Sequence, residues 1–236
     1  MRLLILLAAA TLAHGQRVPV VAELFTSEGC NSCPPADLLL QQLDRAQPVA
    51  GAEIVVLSEH VDYWNQLGWR DPFSSPQFTA RQQRYSRTLG GEVYTPQLVI
   101  DGREQILGSD AAAAQKAIAR AAGRPKLAAR IVSAKRDGAD AAIVLSIPAS
   151  PKGRAEVWIA IADESGRSSV LRGENAGREL SHVAIVRRLV KAGAIGKSEG
   201  MEKVVRVPAA AGPARVIVFL ADDAGAIHGA AQTSLP

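Results

Sequence analysis

The stretch Glu28-Gly29-Cys30-Asn31-Ser32-Cys33-Pro34-Pro35, which we call the cysteine motif, decides the fold of the N-terminal half and holds both cysteines of the 236-residue chain. The cysteines are spaced as Cys-x-x-Cys, so their thiols can meet on one helical turn. A disulfide that closes so small a ring removes little entropy from the unfolded chain. The spacing therefore indicates a redox or metal-binding role more than a structural crosslink.

The residues on either side of this motif predict a strand before it and a helix after it. Residues 18–25 are mostly apolar and rich in β-branched side chains, as in a buried parallel strand. Pro34 and Pro35 suit the first turn of a helix, and apolar residues then recur at helical spacing. We therefore expect Cys30 to lie at a helix N-terminus, where the helix dipole favours a thiolate, and to be the attacking cysteine. Cys33, one turn inside the helix, is the expected resolving thiol.

Residues 1–15 have the pattern of a secretory signal peptide. Arg2 supplies a positive charge, residues 3–12 are mostly apolar, and small residues at Ala13 and Gly15 mark a cleavage site. No later stretch is long and apolar enough to predict a transmembrane helix. We therefore predict export to an oxidising compartment, either the periplasm or the outside of the cell.

Charge and composition argue against one broad class of partner. The chain has 27 Lys and Arg against 23 Asp and Glu, a net charge of +4, and only 4% aromatic residues. Because the basic residues are scattered and few aromatics are present to stack on bases, nucleic-acid binding is not expected. No glycine-rich phosphate loop or dinucleotide-binding motif occurs in the sequence, and we expect no cofactor.

Strand and helix patterns alternate through the rest of the N-terminal half, up to Gly123. The predicted elements are a strand over 53–59, a helix between Ser75 and Gly90, a strand after Pro96, a strand over 104–107, and a helix over 110–122 capped by Ser109. Together with the first strand and helix, the predicted order is strand, helix, strand, helix, strand, strand, helix.

An aromatic-rich segment, residues 60–73, follows the second predicted strand and contains Trp64 and Trp69. Open α/β sheets bind ligands beyond the carboxyl ends of their strands, so the two tryptophans are candidate substrate-binding residues in a lid or pocket wall. Alternatively, these aromatic side chains fill a small core beneath a long loop. The sequence leaves both interpretations open.

The segments LFTSEGCNSCPPAD and VYTPQLVIDG carry a resemblance to a known fold. With Cys-x-x-Cys opening the first helix and Thr95-Pro96 opening the third strand, the order of elements resembles the thioredoxin fold over residues 18–123. The resemblance implies a cis peptide bond before Pro96, beside the reactive sulfurs, and a backbone at Thr95 that binds an extended peptide substrate. A cis proline suits a sharp turn at which the chain must approach a disulfide closely.

A narrower resemblance includes the segments HVDYWNQLGWRDPFSSPQFTARQ and RGENAGRELSH. These segments are similar to those of an uncharacterised family of exported bacterial proteins with a thioredoxin-like N-terminal domain. The resemblance covers most of the chain that follows the predicted signal peptide. No activity is established for that family, so this resemblance implies none for the chain.

The chain departs from the thioredoxin pattern at two positions. Gly29 replaces the usual tryptophan, and Leu24 stands six residues before Cys30, where a buried carboxylate is usual, with Glu23 next to it. Strand alternation points Glu23 to the opposite face of the sheet. The candidates for proton transfer to the resolving thiol are Glu23, Glu28 and His60.

From residue 125 onward, short alternating runs are separated by turn residues, which is typical of an antiparallel sandwich of roughly six to eight strands. The predicted strands are 126–133, 141–147, 155–162, 182–190, 203–207 and 215–221. The expected fold is therefore an α/β thioredoxin-like domain over 16–124 followed by an all-β sandwich domain over 125–236, with the two packed together.

Residues 172–182 form a polar, glycine-containing segment that includes Arg172, Arg178 and His182. This segment either reaches across to the dithiol and recognises an anionic or peptide group, or is a long hairpin connection whose side chains cap neighbouring strands. The sequence leaves both interpretations open.

Three functions fit these patterns. The first is an exported thiol-disulfide oxidoreductase that acts on protein or small-molecule thiols and disulfides through Cys30 and Cys33. The alternative is a binding module in which the same residues form a permanent structural disulfide. The third is a metal site that adds His60 or His182 to the cysteines. No second Cys-x-x-Cys and no close histidine pair supports that site, and we assign no metal ligand.

Overall fold

The structure is a computed structural model that describes residues 17–236. The predicted signal peptide at 1–15 lies outside the described residues. The elements of the N-terminal half are β1 Val18–Thr26, α1 Pro34–Ala46, β2 Ala52–His60, a 3₁₀ helix Tyr63–Leu67, α2 Pro76–Leu89, β3 Gln97–Ile100, β4 Glu104–Leu107 and α3 Ala111–Ala122. Those of the C-terminal half are β5 Arg130–Asp137, β6 Asp140–Ile147, β7 Ala155–Ser169, β8 Glu179–Ile195, β9 Met201–Pro208, β10 Ala214–Ala221 and β11 Ile227–Leu235.

Eight strands form one mixed sheet in the order β11-β10-β7-β8-β2-β1-β3-β4. Strands β1 and β2 are parallel, and β3 and β4 continue the sheet in antiparallel pairs. Strands β7, β8, β10 and β11 are antiparallel neighbours, and β8 joins β2 in parallel at the pair Ser58 and Ile185. The sheet therefore continues from the N-terminal half of the chain into the C-terminal half.

The expected fold, a thioredoxin-like α/β domain followed by a separate β-sandwich, is wrong. Four C-terminal strands extend the N-terminal sheet instead of forming a sandwich of their own. The physical reason is the length of β7 and β8, which have 15 and 17 residues and continue beyond the apolar runs at 155–162 and 182–190. This long hairpin reaches β2, where the backbone groups of the sheet edge find partners. The placing of a domain boundary at residue 124 stays a prediction.

The helices cover both faces of the N-terminal part of the sheet. Leu24 of β1 shares one apolar core with Leu40 of α1 and Ile118 of α3. On the other face, Phe25 packs edge to face against Tyr85 of α2. The three-stranded sheet β5-β6-β9 covers β7 and β10 in a further apolar core. Successive residues of β1 thus point to different helices, which determines which side chains can approach the cysteine motif.

Helix starts follow the local chemistry of the chain. Pro76 opens α2, and the Ser75 side chain accepts a hydrogen bond from the N–H of Gln77. The side chain of Asp110 caps α3 by accepting from the N–H of Ala113 at 2.9 Å, so the predicted cap at Ser109 is off by one residue. Among residues 17–236, no helix is both long and apolar enough to cross a membrane.

Candidate functional site

Cys30 and Cys33 form a disulfide at the start of α1, with their Cα atoms 5.4 Å apart. Cys33 is the N-cap residue of α1, and Cys30 lies in the turn that follows β1. Both cysteines are 0% exposed, whereas Asn31 and Ser32 between them are exposed. Other parts of the chain therefore cover the sulfurs, although the turn that holds them reaches the surface.

The start of α1 offers the sulfurs few free N–H groups. Pro34 and Pro35 carry no N–H, and the next two N–H groups of the helix donate to the carbonyl of Cys33. The Ser32 hydroxyl lies 3.3 Å from Cys30 Sγ and donates to it, because a disulfide sulfur has no proton. The first turn of α1 therefore has few unpaired N–H groups to add to the helix dipole in stabilising a thiolate.

The connection between β7 and β8, residues 170–178, covers the cysteine motif, and we call it the cover loop. Asn175 is fully buried there, and its Nδ2 donates to the carbonyls of Glu28 at 2.8 Å and Cys30 at 2.9 Å. Arg178 in turn donates from Nη1 to Asn175 Oδ1 at 3.0 Å. The loop is therefore a hairpin connection that also reaches the cysteine motif, and its recognition of an anionic or peptide group stays a prediction.

Trp64, Thr95 and Pro96 lie next to each other beside the motif. The Thr95–Pro96 peptide bond is cis, as the resemblance implies. Trp64 donates from its indole Nε1 to Thr95 Oγ1 at 2.9 Å. A Cβ atom on Gly29 would lie 3.1 Å from Trp64 Cβ, so the glycine before Cys30 leaves room for this tryptophan. The substrate-binding roles of Trp64 and Thr95, and the catalytic role of Pro96, stay predictions.

Ionisable side chains are buried next to the motif. His182 Nε2 lies 3.4 Å from Glu28 Oε1, and His182 Nδ1 lies 3.5 Å from Asp37 Oδ1. Asp37 follows Cys33 by four residues, or about one turn of α1, and Glu28 precedes Cys30 by two residues. The imidazole from β8 therefore lies between two carboxylates that flank the disulfide in sequence.

The surroundings of His182 determine its charge. Burial lowers the pKa of His182, but its contacts with Asp37 and Glu28 outweigh burial and raise the pKa to about 10. The ring is therefore an imidazolium at neutral pH. None of the facing atoms, namely the two ring nitrogens, Glu28 Oε1 and Asp37 Oδ1, makes a well-aligned hydrogen bond within the described part of the chain. Such unsatisfied buried atoms are uncommon and often mark functional sites.

His60 and Asp71 extend this group of buried ionisable side chains. His60 Nδ1 lies 2.7 Å from Asp71 Oδ2, and the rings of His60 and His182 have centroids 4.6 Å apart. Burial raises the pKa of Asp71, but the charge and hydrogen bond of His60, helped by two backbone N–H donors, outweigh burial and lower it. Trp69 donates from Nε1 to Glu28 Oε2 at 2.7 Å, so its polar end is bound inside the protein. We call Glu28, Asp37, His60, Asp71 and His182 the buried network.

Glu23 lies on the opposite face of β1 from α1, as strand alternation predicts. Its Oε1 accepts from Arg81 Nε at 2.5 Å, and its Oε2 accepts from the Tyr85 hydroxyl at 2.6 Å. Glu59 lies 3.6 Å from the same nitrogen of Arg81. Burial, with the nearby charge of Glu23, holds the pKa of Glu59 well above its usual value. Of the three candidates for proton transfer, the structure thus brings the other two together near the disulfide and leaves Glu23 in a separate cluster.

Asp37, Asp71 and Asn175 are site residues that the sequence patterns did not indicate. Asp37 had a usable signal, because it follows Cys33 by four residues on a predicted helix and so lies on the same face. Asp71 and Asn175 lie in irregular segments, where no periodicity exists to place them. Within residues 17–236, no group of three or more His, Cys, Asp or Glu is arranged to hold a metal ion.

Replacing Asn175 with alanine is expected to make the disulfide easier to reduce. The change removes the two hydrogen bonds that Asn175 makes to the motif and leaves the buried carbonyl of Glu28 without a donor, whereas the carbonyl of Cys30 still accepts from the N–H of Cys33. A loss of about 1–3 kcal/mol would make opening of the loop roughly 5- to 150-fold more frequent. The rate at which excess dithiothreitol reduces the protein measures this.

Glu174→Ala is the matched control for Asn175→Ala. The Glu174 side chain accepts a hydrogen bond from the N–H of Asn31 at 3.1 Å from an exposed position in the same loop. Removing this bond is expected to change the reduction rate little, because water replaces the lost partner. Equal reduction rates for both variants would show that Asn175 does not hold the cover in place.

Comparison with known proteins places the chain in a family. A family model described as "Protein of unknown function (DUF1223)" matches residues 21–221, which include the cysteine motif, the buried network and the cover loop. A protein from Agrobacterium tumefaciens, with a crystal structure from a structural genomics consortium, is 30% identical with a TM-score of 0.69. That match covers 93% of this chain and 94% of the Agrobacterium chain. A search of curated proteins found no match. The chain therefore belongs to the DUF1223 family, an uncharacterised family of proteins of unknown function.

Proposed function

We propose that the protein is an exported thiol-disulfide oxidoreductase, periplasmic or secreted, that acts through Cys30 and Cys33. One observation supports this most strongly: the disulfide opens a helix, and the residues that flank it in sequence, Glu28 and Asp37, both face the buried His182. Buried charges are costly, and where they surround a reactive group they commonly tune its chemistry. A disulfide that serves only as a crosslink has no need of an imidazolium held between the two carboxylates that flank it in sequence.

The proposed reaction exchanges one disulfide for another. In the reducing direction, the Cys30 thiolate attacks one sulfur of a substrate disulfide, the substrate S–S bond breaks, and the other substrate sulfur leaves as a thiolate. Cys33 then attacks Cys30 Sγ, which re-forms the Cys30–Cys33 bond and releases the second substrate thiolate. The substrate gains two electrons, the dithiol loses two, and each released thiolate takes a proton from solvent. The reverse sequence of steps donates a disulfide to a substrate dithiol.

Exchange requires an attacking sulfur to reach a disulfide that is fully buried in this structure. The cover loop has to move, and its anchors on the motif are few. They are the two hydrogen bonds of Asn175 and the exposed bond between Glu174 and the N–H of Asn31. Opening of this kind involves one loop and leaves the sheet intact. The substrates, by this proposal, are thiols and disulfides of proteins or small molecules.

The burial of both sulfurs favours a second candidate function, a binding protein in which the Cys30–Cys33 bond is structural. The reduction potential of the pair distinguishes the two functions. Exchange catalysts have potentials of roughly −120 to −270 mV, whereas structural disulfides lie below about −300 mV.

A further inference from the structure

We propose that His182 is a positioning residue for the dithiol, a buried cation that stabilises the thiolate formed when the Cys30–Cys33 bond opens. This inference rests on the proposed function and names a residue from the C-terminal half of the chain as part of its machinery. His182 reaches the motif because the long strand β8 passes beside β2 and α1.

The charges that face His182 come from several elements. Glu28 comes from the turn after β1 and Asp37 from α1, while His60 comes from the end of β2 with Asp71 on its far side. Glu28 precedes Cys30 and Asp37 follows Cys33 in the sequence. Without the imidazolium, the negative charges of these two carboxylates would repel a thiolate on either cysteine. With the imidazolium, their charge is partly neutralised. A thiolate can then form at a lower free-energy cost.

The helix start does not supply this stabilisation by itself. Pro34 and Pro35 remove two of the N–H groups that usually stabilise an anion at a helix N-terminus. Within the motif, the N–H of Glu28 donates to Asp71 Oδ2 and that of Cys33 donates to the carbonyl of Cys30. These donors are therefore already occupied. More of the stabilisation of a thiolate then has to come from a nearby cation.

The backbone next to His182 has an unusual conformation. Ala184, two residues later in β8, has a φ of 47° in the left-handed region, and it is fully buried. A non-glycine residue rarely adopts this conformation, and such residues concentrate at functional sites. The nearby pairing of β7 with β8 also shifts register, between Ile161 and Ala162. The irregular part of β8 thus lies close in sequence to His182.

The charge acts in one defined step. When a substrate thiolate attacks Cys30 Sγ, the new S–S bond forms, the Cys30–Cys33 bond breaks, and its electron pair stays on Cys33 Sγ. His182 keeps its proton, and its positive charge stabilises the new negative charge on Cys33 by electrostatic attraction. A cation that stabilises the reduced form makes the pair easier to reduce. His182 therefore favours the direction in which this protein donates its disulfide to a substrate dithiol.

The test uses the full chain, reduced, and measures how fast iodoacetamide alkylates its cysteines as a function of pH. For His182→Asn, the rate at neutral pH is expected to fall about tenfold and to recover at high pH, because only the fraction of thiolate has changed. His228→Asn is the matched control. That histidine also pairs with a carboxylate, Asp222 at 2.8 Å, but lies near Arg103, beyond the end of β3 that is away from the motif. Overlapping profiles for His182→Asn and His228→Asn would overturn the proposal.

A second variant keeps the test decisive if His182→Asn does not fold, which circular dichroism will show. Asp37→Asn removes one of the two carboxylates that face His182 and leaves Glu28 as the partner of the imidazolium, so with less negative charge beside the motif its alkylation at neutral pH is expected to be faster than in the wild type. A shift to slower alkylation contradicts the proposal. Because alkylation reports thiolates alone, these profiles test His182 whether or not the chain exchanges disulfides. The proposed function is tested by a separate measurement, the reduction potential of the wild-type chain.

Discussion

Replacing Cys33 with serine is expected to trap a mixed disulfide between Cys30 and its substrate and to reduce catalysed exchange to the background rate. The Cys30 thiolate can still attack a substrate disulfide, but no second thiol remains to displace the product. Mass spectrometry of the unreduced variant after incubation with a disulfide-bonded peptide is expected to show one peptide adduct per chain. Thiol trapping of the same sample measures the loss of turnover.

Cys30→Ser is the control for this trapping experiment. It keeps one thiol in the same motif, but the remaining Cys33 is the N-cap residue of α1 and precedes two prolines. We expect little adduct with Cys30→Ser. Equal adduct on both variants would mean that the two cysteines do not have distinct roles, and absence of adduct on both would contradict exchange by attack of Cys30.

Replacing Arg81 with methionine is expected to give the largest loss of stability among single substitutions of the described ion pairs. The Arg81 side chain is 8% exposed and faces the carboxyl groups of two fully buried residues, Glu23 and Glu59. Removing one partner of a buried ion pair costs about 3–5 kcal/mol, because a charge is left buried without compensation. Methionine keeps much of the volume that packs over the rings of Tyr85 and Phe219, so the charge is the main change. The free energy of unfolding in urea measures the loss.

Arg120→Met is the matched control for Arg81→Met. Arg120 also pairs with a glutamate, Glu104, but the two side chains are 53% and 33% exposed. Exposed pairs contribute less than about 1 kcal/mol, so this variant is expected to unfold close to the wild type. Adding Glu23→Gln to Arg81→Met should recover part of the loss, since it removes the uncompensated charge. Similar unfolding midpoints for Arg81→Met and Arg120→Met would contradict a stabilising role for this cluster.

The elements around the cysteine motif could be predicted from the sequence because their signals are local. The apolar run of β1, the prolines that open α1 and the turn residues after α2 each specify structure within a few residues. Strand alternation also predicted correctly that Glu23 points away from α1. The cis bond at Thr95–Pro96 followed from the resemblance, with no local pattern behind it.

The joining of the two halves could not be predicted from local patterns. Ser58 and Ile185 form the link between β2 and β8 but lie far apart in sequence. Residues 163–169 of β7 are mostly polar, and they stay in the strand because β8 satisfies their backbone groups. The contact of His182 with Asp37 could not be predicted for the same reason. The two residues lie far apart in the sequence, and no local pattern relates their positions.

The most direct test of the central proposal is the reduction potential of the Cys30–Cys33 pair. Protein lacking residues 1–15 is equilibrated in buffers of graded thiol and disulfide content, and its free thiols are then trapped and counted. Thiol-disulfide exchange predicts a potential between roughly −120 and −270 mV, towards the oxidising end if His182 stabilises the thiolate. A potential below about −300 mV, typical of structural disulfides, would contradict the proposal and leave the cysteines as a crosslink in a binding protein.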